Sequence, residues 1–157
     1  MQIIPVTEAN IGIYYNLAQT YEAEFSPLTQ KQPDPSGMYE LDTYPGGDVL
    51  AFLLEIDNTP AGIAAIARKG DQGYEVCEFY VIPRFRKNSI GMRFAHAIWN
   101  NHPGSWEIKQ LVAADYATRF WRKTIQRYEN TTFSEELYDD PYWGNVTRQQ
   151  FIINFMH

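Results

Sequence analysis

Glu75 and Glu78 lie three residues apart in the stretch GYEVCEFYVIP. A carboxylate set in an apolar strand can take a proton from a reacting group, which is the work of a general base. Their odd spacing puts the two on opposite faces of a strand, so only one can face a given cleft. Glu107, beside Trp106 in a later apolar run, is a third candidate. Directly after Val81 the sequence reads IPRFRKNSIG, with Arg84, Arg86 and Lys87 ahead of Asn88, Ser89, Ile90 and Gly91. A strand that runs straight into a helix leaves free backbone N–H groups at the helix start. Those groups and the helix dipole favour a bound anion. Arg86 and Lys87 add formal charge, and Gly91 lets the backbone come close to a ligand. The chemistry this suits is a phosphate or pyrophosphate. The same residues also fit a solvated basic turn capping a helix, and either glutamate also fits a strand-end ion pair.

The elements that must hold these residues can be read from periodicity. QIIPV (2–6) reads as a short strand. Ile13, Leu17, Tyr21 and Phe25 recur every four residues and predict one apolar helix face. Residues 26 to 47, rich in proline and glycine, read as a long loop, and such loops in compact domains often serve function. DVLAFLLEIDNTPAGIAAIARK reads as two strands joined by a turn at Asp57–Pro60. GYEVCEFYVIP is the next strand, GMRFAHAIWNNHPG a helix from near Ser89 to before Pro103, and WEIKQLVA a strand. YATRFWRKTIQRY is a helix with Ala117, Phe120, Trp121 and Ile125 on one side, and the tail holds one or two strands, the clearest being RQQFIINF. The order β-α-β-β-β-α-β-α-β is an α/β pattern with a mixed sheet.

The chain has 157 residues, the size of one domain, so residues 1–157 are expected to form a single one. The net charge of −6 disfavours nonspecific nucleic-acid binding, so the basic cluster at 84–87 calls for a local explanation. Cys77 is the only cysteine, which excludes an intramolecular disulfide and a cysteine metal cluster. His96, His102 and His157 do not have metal-ligand spacing, and no metal is expected. No apolar run reaches membrane-spanning length and no secretory signal pattern is present, so a cytoplasmic protein without a membrane partner is expected. There is no glycine-rich Walker loop and no Gly-x-Gly-x-x-Gly fingerprint.

The stretch from Glu78 to Gly91 resembles the coenzyme A loop of the GNAT N-acetyltransferase superfamily. That pattern is a hydrophobic strand, a proline, then Arg/Gln-x-x-Gly-x-Gly/Ala opening a helix. Here it reads Arg86, Lys87, Asn88, Ser89, Ile90, Gly91. The likeness extends through PGSWEIKQ and ATRFWRKTI, over roughly residues 74–128, and is to a bacterial branch of predicted acetyltransferases that carries a glutamate in this strand. It implies a mixed, mostly antiparallel sheet flanked by helices, with the fourth and fifth strands parallel and splayed.

The resemblance further implies transfer of an acetyl group from acetyl-CoA, as cosubstrate, directly to an amine of a small molecule or peptide. Phe79, Tyr80 and Val81 would hold the thioester arm through their backbone. Arg86 to Gly91 would hold the pyrophosphate, and Phe120 and Trp121 would line the coenzyme. Glu78 stands where the branch carries its glutamate, and Glu75 aligns with the base of some histone-type members. Ser89 replaces the middle glycine, which matters if that position needs φ > 0. Ala114 replaces an asparagine that would bond the pantetheine arm. Trp121 replaces the tyrosine often proposed as general acid, and an indole N–H cannot act as an acid near neutral pH. These departures leave open a second reading, an idle fold that binds coenzyme A as a sensor or interaction module. A monomer or homodimer is expected. Tyr39, Glu40, Asp42 and Tyr44 fall in the loop that borders the acceptor cleft in the superfamily. The late segment with Tyr128, Glu135, Glu136, Tyr138, Tyr142 and Trp143 mixes aromatic and acidic groups, which suits a cationic amine or a solvated loop with aromatic anchors.

Overall fold

The computed structural model describes residues 1–155; Met156 and His157 lie outside the described residues. Seven strands and three helices follow in the order β1 (Gln2–Pro5), α1 (Ile11–Thr29), β2 (Val49–Ile56), β3 (Thr59–Lys69), β4 (Gly73–Val81), a 3₁₀ turn (Pro83–Phe85), α2 (Ile90–Asn100), β5 (Gly104–Leu111), α3 (Asp115–Gln126), β6 (Phe133–Asp140) and β7 (Gly144–Ile153). The strands make one mixed sheet in the order β1-β2-β3-β4-β5-β7-β6. The β1–β2, β2–β3, β5–β7 and β6–β7 pairs are antiparallel, while β4 and β5 are parallel, as the resemblance implied. The β4–β5 ladder joins Gly73, Tyr74 and Glu75 to Ser105, Trp106 and Glu107. The β2–β3 hairpin turns on Asp57 and Asn58, both at positive φ (51° and 60°), the pairing a two-residue turn of right-handed twist demands. No helix among the described residues is long and apolar enough to cross a membrane.

The chain clusters into two compact units. The first comprises Met1–Ala67 and Cys77–Gly91. Its core is Tyr14 and Ala18 of α1, Leu41 of the following loop, Ala51 and Leu53 of β2, Ile63 and Ala65 of β3, and Tyr80 of β4. Small residues on β3 let the backbones close up. A Cβ at Gly62 would stand 2.4 Å from the Tyr80 carbonyl oxygen, so only glycine fits there. The second unit comprises Arg68–Val76 and the chain from Met92 onward. Its core is aromatic, with Trp99 packed against Phe151, Tyr128 and Trp121 at ring distances of 5.0, 5.6 and 6.4 Å. Trp106 stacks on Tyr74 and donates its indole N–H to the His102 carbonyl.

Two sequence expectations need correction here. The fully buried stripe of α1 is Tyr14, Ala18 and Glu22, one position on from the predicted face, and Ile13 is exposed. Leu17, Tyr21 and Phe25 pack beside that stripe and are partly buried. In addition, α1 continues through Pro27 to Thr29, so the long loop begins at Gln30 rather than at residue 26. Gln30 closes the helix in a left-handed conformation, its N–H donating to the Ser26 carbonyl.

Candidate active site

Glu78 is 3% exposed near the end of β4, and its Oε2 has no hydrogen-bond partner. Glu22 of α1 and Asp42 of the loop after it bring carboxylate oxygens to the same place, with one oxygen from each of the three residues within 4.8 Å of the others. Local structure explains why they meet. Tyr14, Ala18 and Glu22 are four residues apart and so stack on one face of α1, which carries Glu22 inward with the core residues. The loop is pinned to that helix by the Gln19 amide, which donates to the Tyr39 carbonyl at 2.8 Å and accepts from the Tyr39 N–H at 2.7 Å. Asp34 ties the loop's own turn by accepting from the Ser36 and Met38 N–H groups. Leu41 then enters the core and Asp42 follows it toward Glu22.

Lys31 supplies the cation. Its ammonium donates to Glu22 Oε2 at 2.9 Å, Asp42 Oδ2 at 2.6 Å and the Glu40 carbonyl at 3.0 Å. Burial opposes that charge, but the bonds to Asp42 and Glu22 outweigh it and raise the lysine's pKa. Burial raises the Glu22 carboxyl despite Lys31. Glu78 is pushed up to about 8, first by burial and then by the charges of Glu22 and Asp42. Burial and the Glu78 charge likewise push the Tyr14 and Tyr21 hydroxyls up. A carboxyl group in this state can hold or take a proton near neutral pH, which is what a general base requires.

Glu75 has different surroundings. It belongs to the second unit, where its two oxygens pair with Lys109 at 3.0 Å and Lys69 at 3.1 Å. Glu107 also pairs with Lys109, at 3.3 Å.

The turn after β4 lies in the first unit. Arg86 folds back over the strand end: its Nε donates to the Val81 carbonyl and its Nη2 to Glu24, each at 2.7 Å. Its guanidinium lies 5.4 Å from the Tyr80 ring centre, and the Tyr80 hydroxyl donates to the same Glu24. Phe79 is half-buried, Tyr80 and Val81 are buried, and Lys87, Asn88 and Ser89 are exposed. Asn88 and Ser89 both have φ of 56°, the left-handed region. The position at which the superfamily pattern has glycine therefore does need positive φ, and Ser89 bears a strain on the order of 1–2 kcal/mol. Ile90 is buried and Gly91 half-buried where α2 begins. Phe120 and Trp121 belong to the second unit, where Trp121 is 6% exposed within the aromatic core.

No family model and no curated protein matches the sequence. Solved structures match nearly the whole chain. The ribosomal L7/L12 alpha-N-protein acetyltransferase, in complex with coenzyme A, has a TM-score of 0.68 at 13% identity, covering 97% of this chain and 93% of its own. A variant of spermidine N-acetyltransferase from Vibrio cholerae has a TM-score of 0.64 at 10% identity, covering 97% of this chain and 95% of its own. A candidate acetyltransferase of the GNAT family from Bacteroides thetaiotaomicron also scores 0.64, at 13% identity, covering all of this chain and 89% of its own.

This is the GNAT acetyltransferase fold. At such identities the likeness is one of fold, and in this chain that fold is the mixed sheet with parallel β4 and β5. Within that fold, the residues that sequence reasoning missed are Glu22 and Lys31. A single glutamate on a helix reads as a solvent-facing charge. The signal available was its spacing of four from Ala18 and eight from Tyr14, which places it on the buried stripe.

Proposed function

We propose that this chain is an acyl-CoA-dependent N-acyltransferase, moving an acetyl group from acetyl-CoA directly to a primary amine, with residues 1–157 acting as one GNAT-like domain. The observation that carries this reading is Glu78: a buried carboxyl group, raised to about 8, on the fourth strand of a GNAT fold. Glu78 would accept the proton that the acceptor ammonium must lose. The freed amine nitrogen attacks the thioester carbonyl carbon, the C–N bond forms and the C–S bond breaks. The nitrogen's second proton passes through water to the leaving thiolate, since Trp121 is core packing with no acidic proton to give. Backbone N–H groups of the Phe79–Val81 segment would polarise the carbonyl.

The exposed Lys87–Ser89 turn and the first N–H groups of α2 suit a pyrophosphate. Arg86 fits the same role on release from Glu24. Arg86→Ala should weaken coenzyme A binding by roughly 1–3 kcal/mol, the worth of a charge-assisted hydrogen bond, as read by calorimetry. The activity test is thiol release from acetyl-CoA over a panel of primary amines. Turnover with at least one amine supports the reading. Coenzyme A binding with no turnover on any of them would favour an idle sensor, the reading that the buried Trp121 and the Ala114 substitution support.

A further inference from the structure

The Lys31 ammonium has three N–H donors, and Glu22, Asp42 and the Glu40 carbonyl take all three. Nothing of Lys31 is left for Glu78. Three buried or half-buried carboxylates thus face one cation. Three buried polar atoms of the first unit have no partner: Glu78 Oε2, Glu22 Oε1 and the Tyr14 hydroxyl. Tyr14 and Glu22 are 0% and 1% exposed. Tyr14 stands two turns before Glu22 on the same buried stripe of α1, and the Glu78 charge adds to burial in raising its hydroxyl. Buried polar atoms without partners are costly, and those of Glu78 and Glu22 belong to one cluster.

We propose that Glu22, Asp42 and Glu78, with the Tyr14 hydroxyl, form a binding site for a primary ammonium group, that of the amine acceptor. The match is one of number, geometry and charge. A second ammonium brings three N–H donors to a carboxylate cluster in which Glu78 Oε2 and Glu22 Oε1 have no partner. Hydrogen bonds of about 2.8 Å from a tetrahedral nitrogen set its acceptors about 4.6 Å apart, and Glu22, Asp42 and Glu78 each bring one oxygen within 4.8 Å of the others. Two monovalent cations against three carboxylates leave one negative charge, which a transferable proton can balance. A divalent metal ion fits worse. It would share Asp42 and Glu22 with the Lys31 ammonium and be repelled by it, and calcium or magnesium needs six or more oxygens where an ammonium needs three. Only the identification of the ammonium with the acceptor's rests on the acyltransferase reading; the site itself does not.

The test is calorimetric titration of the whole chain with n-butylammonium chloride, without acetyl-CoA. Saturable binding is expected, weakened at least tenfold in Glu78→Gln and in Glu22→Gln, substitutions that keep shape. Glu8→Gln, an exposed carboxylate in the turn before α1, should bind as the wild type does. Tetramethylammonium, with the same charge and no N–H, should bind the wild type at least tenfold more weakly, and this arm needs no variant. The proposal is overturned if the wild type shows no saturable heat, if Glu78→Gln binds unchanged, or if tetramethylammonium binds as tightly. Manganese binding that n-butylammonium cannot displace would overturn it in favour of a metal site. Activity on amines without binding at these residues would sink this inference and leave the acyltransferase reading standing. Binding here without any turnover would do the reverse.

Discussion

Among the described residues, two clusters gather carboxylates around a lysine, and they are in opposite states. In the second unit Lys109 reaches Asp140 at 2.7 Å, Glu75 at 3.0 Å and Glu107 at 3.3 Å, and Lys69 takes the other oxygen of Glu75. Asp140 gains further N–H donors from Tyr142 and Trp143. The Lys109 bond and those N–H groups pull its carboxyl down to about 2. In the first unit Lys31 spends its donors on Glu22, Asp42 and a carbonyl, and Glu78 rises to about 8. The same residue types give a locked ion network where donors match carboxylates, and a proton-accepting group where burial exceeds the supply of donors. Glu75, on the same strand as Glu78, sits in the locked cluster. This is the physical reason to assign the base role to Glu78.

The largest test of the contrast is the pH dependence of stability. Glu78 has a folded pKa near 8 against about 4.5 when unfolded, so the folded state holds a proton that the unfolded state has lost between those values. Stability from this group is full below about pH 4.5 and falls as pH rises through about 8. The fall should be on the order of 5 kcal/mol, and Glu22, raised in the same direction, adds to it. Urea unfolding of Glu78→Gln across this range should be flatter than the wild type by that amount. An unchanged slope would mean that Glu78 reaches water or a donor. Asp140, pulled down, acts with the opposite sign: its contribution is present above its unfolded pKa and is lost as pH falls toward about 2.

Next in size is the loss of each central lysine. Lys31→Met leaves Glu22 and Asp42 beside Glu78 with no cation, and should cost roughly 2–4 kcal/mol in urea unfolding. Lys109→Met should cost less, about 1–2 kcal/mol, because Glu75 and Glu107 are 19% and 26% exposed to water and the buried Asp140 keeps its bonds from the Tyr142 and Trp143 N–H groups. Equal costs would blur the distinction between the clusters. The smallest effect belongs to Lys69→Met. Its side chain is 61% exposed, and thermal unfolding should report a change below about 1 kcal/mol.

These clusters also show what was legible in the sequence. The apolar strand ahead of a basic, glycine-ended turn marked both β4 and the start of α2, because local backbone chemistry sets both. The Asp57–Asn58 turn was equally local. The odd spacing of Glu75 and Glu78 signalled that they would differ, but which of the two is poised depends on Lys109, Lys69, Glu22 and Asp42, all far from β4 in sequence. Glu22 was missed because a carboxylate on the inner stripe of a helix runs against amphipathic patterning. The shift of that stripe to Tyr14, Ala18 and Glu22 follows from what α1 packs on, which periodicity does not contain. The left-handed Ser89 was legible only as a condition, since a serine gives no sign of the φ that its glycine counterpart would announce.

The central claim is that Glu78 is the proton acceptor for acyl transfer. It is tested most directly by the rate of thiol release from acetyl-CoA, with the best amine of the panel, for wild type and Glu78→Gln across pH. The account predicts that the variant loses about 10²–10⁴ in rate at neutral pH, the span of a general base. The wild-type rate should climb through about pH 8 as Glu78 ionises, and the gap should narrow at higher pH, where the free amine forms unaided. Full activity in Glu78→Gln at neutral pH, with activity lost in Glu75→Gln instead, would contradict it.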